Sequence, residues 1–246
     1  MGLPQLDSAL PGDGLKLAGL HEVIPANDGN FYDFAIGGAA TGFAAWLLKK
    51  SLSARPGMAL WCRRPAGRFD PQPYGPGLTQ WLDPTRLLVV ETREHSDLLW
   101  AMEEGLRCKG IAAVLGEIGS ADLTATRRLL LAAESNASTA ILLRPAPTTS
   151  SAALTRWQIA SAPARSTEGL RDIAAARWRV ELRRARGAVS NQTQSNWLME
   201  WNDETGDLAL ASSPLDRSVG APRRAVARET GGDGGFGFRR AALSVG

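Results

Sequence analysis

Cysteine is nearly absent from this chain: Cys62 and Cys108, 46 positions apart, are the two in 246 residues. With no Cys-x-x-Cys spacing and no histidine partner nearby, neither a disulfide framework nor a zinc site is signalled. Histidine is as scarce. His21 falls in a strand-like run and His95 in a helical first turn beside Glu94. No Gly-x-Ser-x-Gly accompanies them, so nucleophilic hydrolase chemistry has no support. Long hydrophobic runs are also missing. The segment 34–48 falls short of the roughly twenty apolar residues that cross ~30 Å of hydrocarbon, and no membrane span is expected. The opening Met-Gly-Leu-Pro-Gln-Leu-Asp has neither a basic start nor an apolar stretch, which predicts a cytoplasmic protein.

Charge of one sign is in small excess, +3 in all. Residues 211–246 hold six arginines against Asp216, Glu229 and Asp233, which accounts for the surplus and leaves the body of the chain neutral. A neutral body with a mildly basic tail argues only for weak or indirect contact with DNA, because counterion release needs several aligned phosphate contacts. What is present in quantity is apolar. Hydrophobic residues make up 44% of the chain, the globular average and enough for a sizeable core.

The first 145 residues alternate short β-rich runs with helical stretches. Residues 20–24, 58–62, 86–90, 111–115 and 139–143 are five strand candidates. Between them Ile36, Ala39, Ala40, Phe43 and Leu47 repeat at helical spacing, and Leu123, Leu130, Ala133 and Ala137 keep to one helical face. A third helix runs over about 94–107, with Leu98, Leu99, Met102 and Leu106 as its apolar stripe and Glu103 to Arg107 as a supporting pair. Strands alternating with helices imply an α/β fold with a mainly parallel sheet covered on both faces. After Pro147 the pattern becomes strand after strand, at 154–160, 176–184 and 196–201, read as an antiparallel extension of the same sheet. From 212 the chain is rich in Pro, Arg and Gly. The expected organisation is one domain over 1–211 and a flexible Arg/Gly-rich tail over 212–246.

The segment 6–22, L-D-S-A-L-P-G-D-G-L-K-L-A-G-L-H-E, resembles the approach to the phosphate loop of RecA-type recombination ATPases. The following P-A-N-D-G-N-F-Y-D-F-A-I-G-G-A-A-T-G-F departs from them, with no Gly-Lys-Ser/Thr at any register. Without that lysine and hydroxyl, phosphates and magnesium lose their main partners, so the loop is read as degenerate and its glycines as serving chain packing. Glu117, closing the run 111–116, stands at a degenerate Walker B position. The second strand runs into Arg63 and Arg64 where RecA-type enzymes carry a catalytic carboxylate, and an arginine cannot polarise a water as a carboxylate does. No catalytic residue, cofactor or metal is therefore assigned. Glu103 and Glu104, about 100° apart on a helix, cannot form a paired-carboxylate site.

Further motifs follow in order: Y-G-P-G-L, L-D-P-T-R-L-L-V-V, S-D-L-L-W-A-M-E-E-G-L-R-C, I-A-A-V-L-G-E-I, D-L-T-A-T-R-R-L-L-L-A-A-E-S, T-A-I-L-L-R-P, S-A-A-L-T-R-W and W-L-M-E-W-N. Over most of 6–210 the chain resembles the ImuA family, RecA-like members of bacterial damage-inducible mutagenesis cassettes. The shorter division inhibitor SulA shares the middle of the pattern. The ImuA resemblance implies a non-enzymatic accessory subunit in translesion DNA synthesis, in contact with an ImuB-like protein, RecA and an error-prone replicative-type polymerase. Two alternatives stand beside it: a SulA-like inhibitor binding FtsZ, and a residual RecA-type ATPase.

Two surfaces are candidates for partner or DNA contact. On a strand Arg177, Arg179 and Arg183 share one face, with Trp178, Val180 and Leu182 on the other. That face is either solvated or in contact with phosphate. Phe236, Phe238, Arg239 and Arg240 in the tail suit stacking on single-stranded DNA or folding on a partner, and equally an ordinary disordered end. Most of the eight tryptophans are expected in the core, and an exposed one beside Arg63, Arg64 or Arg156 would mark a partner site.

Overall fold

The computed structural model describes residues 1–26, 38–65, 74–79, 81–145, 150–163, 175–188 and 195–211. The glycine-rich segment after the first strand and the tail from 212, with Phe236, Phe238, Arg239 and Arg240, lie outside them.

Five predicted strands form as read: β1 (Gly19–Pro25), β2 (Met58–Arg63), β3 (Leu87–Glu91), β4 (Ile111–Glu117) and β5 (Thr139–Leu143). The later apolar runs give β6 (Thr155–Ala162), β7 (Arg177–Ala185) and β8 (Asn196–Asn202), and β9 (Asp207–Leu210) is added to the expectation. They make one nine-stranded sheet in the order β3-β2-β4-β5-β1-β6-β7-β8-β9. Pairings from β3 across to β6 are parallel, and those from β6 to β9 are antiparallel. The fold is α/β with an antiparallel extension, as the alternation of elements predicts.

Helices cover the parallel half on both faces, so its strands are buried on both sides, as β1, β4 and β5 show. The helix α2 (Gly38–Ala54) packs on one face with Val23, Leu115, Ile141 and Leu143, beneath the short α1 (Pro4–Asp7). Because α2 has sheet on one side and Leu6 and Leu10 on the other, it is apolar nearly all round rather than striped. The opposite face carries α4 (His95–Arg107) and α5 (Leu123–Ser135) against Leu20, Leu60, Val114, Ala140 and Leu142. The Asp122 carboxylate caps α5 by accepting from the Ala125 amide at 2.7 Å. A single-turn α3 (Gly75–Leu78) and a 3-10 turn (Pro84–Arg86) precede β3.

Two expectations for α5 need correction. Ala137 lies beyond the helix end with φ at +51°, and Leu123 is exposed at its start. Leu129, Leu130 and Ala133 carry the buried face.

Against α2 the antiparallel half buries an aromatic layer: Trp157, Trp178, Trp197 and Trp201 beside Phe43 and Trp46. Trp81 stacks on Trp178, with ring centroids 5.4 Å apart and planes 18° from parallel. Gly42 is the point of closest approach, since a Cβ there would lie 2.6 Å from the Trp178 ring. Over α2 the β8–β9 turn is tied down: Asp207 accepts from Trp46 Nε1 and from Lys50, and Lys49 donates to the Gly206 carbonyl.

Candidate functional site

The carboxyl ends of the parallel strands are where an α/β sheet usually builds a site. Adjacent in the register there are Glu117 at the end of β4, Arg63 at the end of β2 and Glu91 at the end of β3. The Trp61 indole N–H donates to Glu117 Oε1 at 2.8 Å, and Arg63 Nε lies 3.8 Å from Oε2. Burial pushes the Glu117 carboxyl above its ordinary value, opposed by the Arg63 charge and the Trp61 hydrogen bond, while Glu91 adds a smaller push upward. Both carboxylate oxygens thus face protein groups. Arg63 is buried where the sequence comparison with RecA-type enzymes looks for a carboxylate, and Arg64 beside it is exposed. The arrangement is an acid held by an indole and a guanidinium. Among the described residues no group of three or more His, Cys, Asp or Glu is placed to hold a metal ion.

The arginine face of β7 forms as read, with Trp178, Val180 and Leu182 buried and Arg179 and Arg183 exposed. Two of its three arginines are already committed. Arg177 Nε stands 3.2 Å from Glu200 on β8, and Arg183 Nη1 is 2.7 Å from Glu181 on its own strand. Arg179 alone of the three has no ion pair among the described residues. Pairing across β7 and β8 lowers the free charge that the sequence pattern suggested.

On the α4–α5 side Trp100 is the exposed tryptophan, at 64%. It borders a cavity of about 300 Å³ between the helices, with Leu99, Glu103, Arg128 and Leu129. Buried Glu103 bridges the two helices, 2.6 Å from Arg107 and 2.5 Å from Arg128.

A third cluster was not singled out by sequence reasoning. Glu22 on β1, with no exposed side chain, meets Arg144 Nη1 at 3.3 Å and Arg156 Nε at 2.6 Å. The signal in the sequence was a charge within each of three apolar runs, G-L-H-E-V-I-P, T-A-I-L-L-R and T-R-W-Q-I-A. Charges at strand positions buried on both faces must pair.

No family model matches the chain. Protein ImuA from two strains of Caulobacter vibrioides, NA1000 / CB15N and ATCC 19089 / CIP 103742 / CB 15, is 33% identical over 197 residues, covering 76% of this chain and 78% of each relative. Among solved structures, SulA from Pseudomonas aeruginosa aligns with a TM-score of 0.39 and 16% identity, over 52% of this chain and 98% of that one.

Proposed function

The chain belongs to the ImuA family, and on that premise we propose that it is a non-catalytic accessory subunit of a damage-inducible translesion DNA synthesis complex. The observation that carries this reading is the 33% identity sustained over 78% of the relatives. The subunit recruits or regulates an error-prone replicative-type polymerase through an ImuB-like protein, through RecA, or through both. The state of Glu117 supports the absence of catalysis: an acid already engaged by Trp61 and Arg63 is poorly placed to hold magnesium or to polarise a water. The missing Gly-Lys-Ser/Thr agrees.

The test is a pull-down of the tagged protein from cells treated with a DNA-damaging agent, comparing the full chain with one ending at Ser212. Recovery of the ImuB-like protein, RecA or the polymerase is expected, and its loss on truncation assigns the contact to the tail, which carries Phe236, Phe238, Arg239 and Arg240. Recovery of none of them, or of FtsZ alone, overturns the proposal. Deleting the gene is expected to lower damage-induced mutation without altering growth or division.

A further inference from the structure

The ion cluster at Glu22 does not balance. Glu22 and Arg144 are within 1% of complete burial, and Arg156 on β6 is 18% exposed. In the register Arg156 pairs directly with Arg184 of β7, an exposed residue on the same face of the sheet. Two guanidinium groups thus meet one carboxylate, and Arg184 stands beside Arg156 in the register, so the three arginines and Glu22 carry a surplus of two positive charges. Like charges directly opposite across two strands repel. The other polar contacts of these arginines are with carbonyls: Arg144 Nη1 donates to Ala121 at 3.4 Å and Arg184 Nη1 to Ser151 at 3.0 Å. Carbonyls carry no charge to offset the surplus. Two buried donors, Arg144 Nε and Arg156 Nη2, have no hydrogen-bond partner among the described residues. Native proteins rarely leave such donors unpaired, and a bound ion is one of the few physical reasons for them.

We propose that Arg156 and Arg184, backed by the buried Glu22–Arg144 pair, form a seat for a phosphate group. A guanidinium fork matches phosphate oxygens two at a time. A phosphate monoester carries close to two negative charges at neutral pH and neutralises the whole surplus, as two neighbouring phosphodiesters of a polynucleotide do together, where a single carboxylate neutralises half. Glu22 holds the two inner arginines in place, and Arg184 at the surface admits the ligand. Burial and the neighbouring Arg156 charge lower the proton affinity of Arg144, which Glu22 opposes, as expected of a cationic group short of counter-charge. The seat is independent of the accessory-subunit reading and stands whether or not that holds.

Two sources of phosphate are separated by the probes. Thermal unfolding of the full chain is followed in inorganic phosphate against chloride at equal ionic strength, and fluorescence anisotropy measures binding of a labelled oligo-dT. The variants are Arg184→Gln, Arg156→Gln and, as a control removing the same charge from the same face, Arg179→Gln. Stabilisation by inorganic phosphate, lost in Arg184→Gln and kept in Arg179→Gln, supports the seat with a small phosphate as ligand. Oligo-dT binding weakened about tenfold by Arg184→Gln and unchanged by Arg179→Gln supports it with a polynucleotide as ligand. Arg184 is exposed and its one hydrogen bond among the described residues is to the Ser151 carbonyl, so its variant is expected to fold, and circular dichroism checks this. A wild-type chain that responds to neither probe, or equal responses in Arg184→Gln and wild type, overturns the proposal.

Discussion

Burial removes His21 from its usual titration range. Its Nε2 lies 3.0 Å from the Lys16 carbonyl, which can only accept, so that nitrogen carries the proton. Nδ1 then accepts from the Thr155 hydroxyl at 2.8 Å, and the same hydroxyl oxygen accepts from the Trp157 indole N–H at 2.8 Å. A second proton on the ring would break this chain. Desolvation lowers the His21 pKa from 6.5 to about 4, against the Lys16 hydrogen bond, which pulls the other way. The unfolded chain therefore takes up a proton that the folded chain refuses between those two values. Stability contributed by neutral His21 is full above pH 6.5 and lost as pH falls toward 4, by about 3 kcal/mol in total. NMR titration of the His21 ring should show no change between pH 8 and 5, and urea unfolding should show a fall in stability over that window that His21→Gln lacks. The strand position of His21 was legible in the sequence, because it falls within a short β-rich run, 20–24. Its partners were not: Lys16 is five residues away but Thr155 is 134, and only the β1–β6 pairing joins them.

Element by element, periodicity carried most of the information. The strand 139–143 forms with the expected bounds, and α4 begins one residue after the expected start. What lets α4 lie close on the sheet is a pair of glycines. A Cβ on Gly105 would sit 2.4 Å from Leu60, and one on Gly116 would sit 2.2 Å from Met102. On α5, Leu130 belongs to the same core and is 8% exposed. Leu130→Ala is therefore expected to cost roughly 2–5 kcal/mol in chemical denaturation, and a loss typical of a surface site would contradict the packing of α5 on the sheet. The strand β9 escaped notice because four residues, Asp-Leu-Ala-Leu, are too few to show a period. The Asn-Asp-Glu-Thr-Gly turn before it was the available signal. Ala137 was assigned to the helical stripe by spacing alone, although the Ser-Asn before it already marks an ending.

Across the whole molecule, the division of labour within one sheet was legible at its midpoint, where helices stop alternating with strands. How the antiparallel half is fastened was not, since it depends on Asp207 reaching Trp46 and Lys50 across 161 and 157 residues. The carboxyl of Asp207 is held below its ordinary value by those hydrogen bonds, against the effect of its partial burial. Ending the chain at Asn202 removes this fastening together with buried Leu208, whose burial alone contributes about 1.5–3 kcal/mol. Calorimetry is expected to show Tm lowered by about 6–12 °C, with a chain ending at Ser212 close to the full chain.

The uneven placement of the indoles has an optical consequence. Six of the eight tryptophans are buried, five of them on the α2 side around the aromatic layer and the sixth, Trp61, on the same face, whereas Trp100 stands in solvent on the other side of the sheet. Iodide in the buffer reaches an exposed indole far more readily than a buried one, so the quenchable part of the intrinsic emission comes chiefly from Trp100. The chain thereby carries its own reporter on the α4–α5 groove: an occupant there shields that emission from iodide while the emission of the buried set continues to report folding.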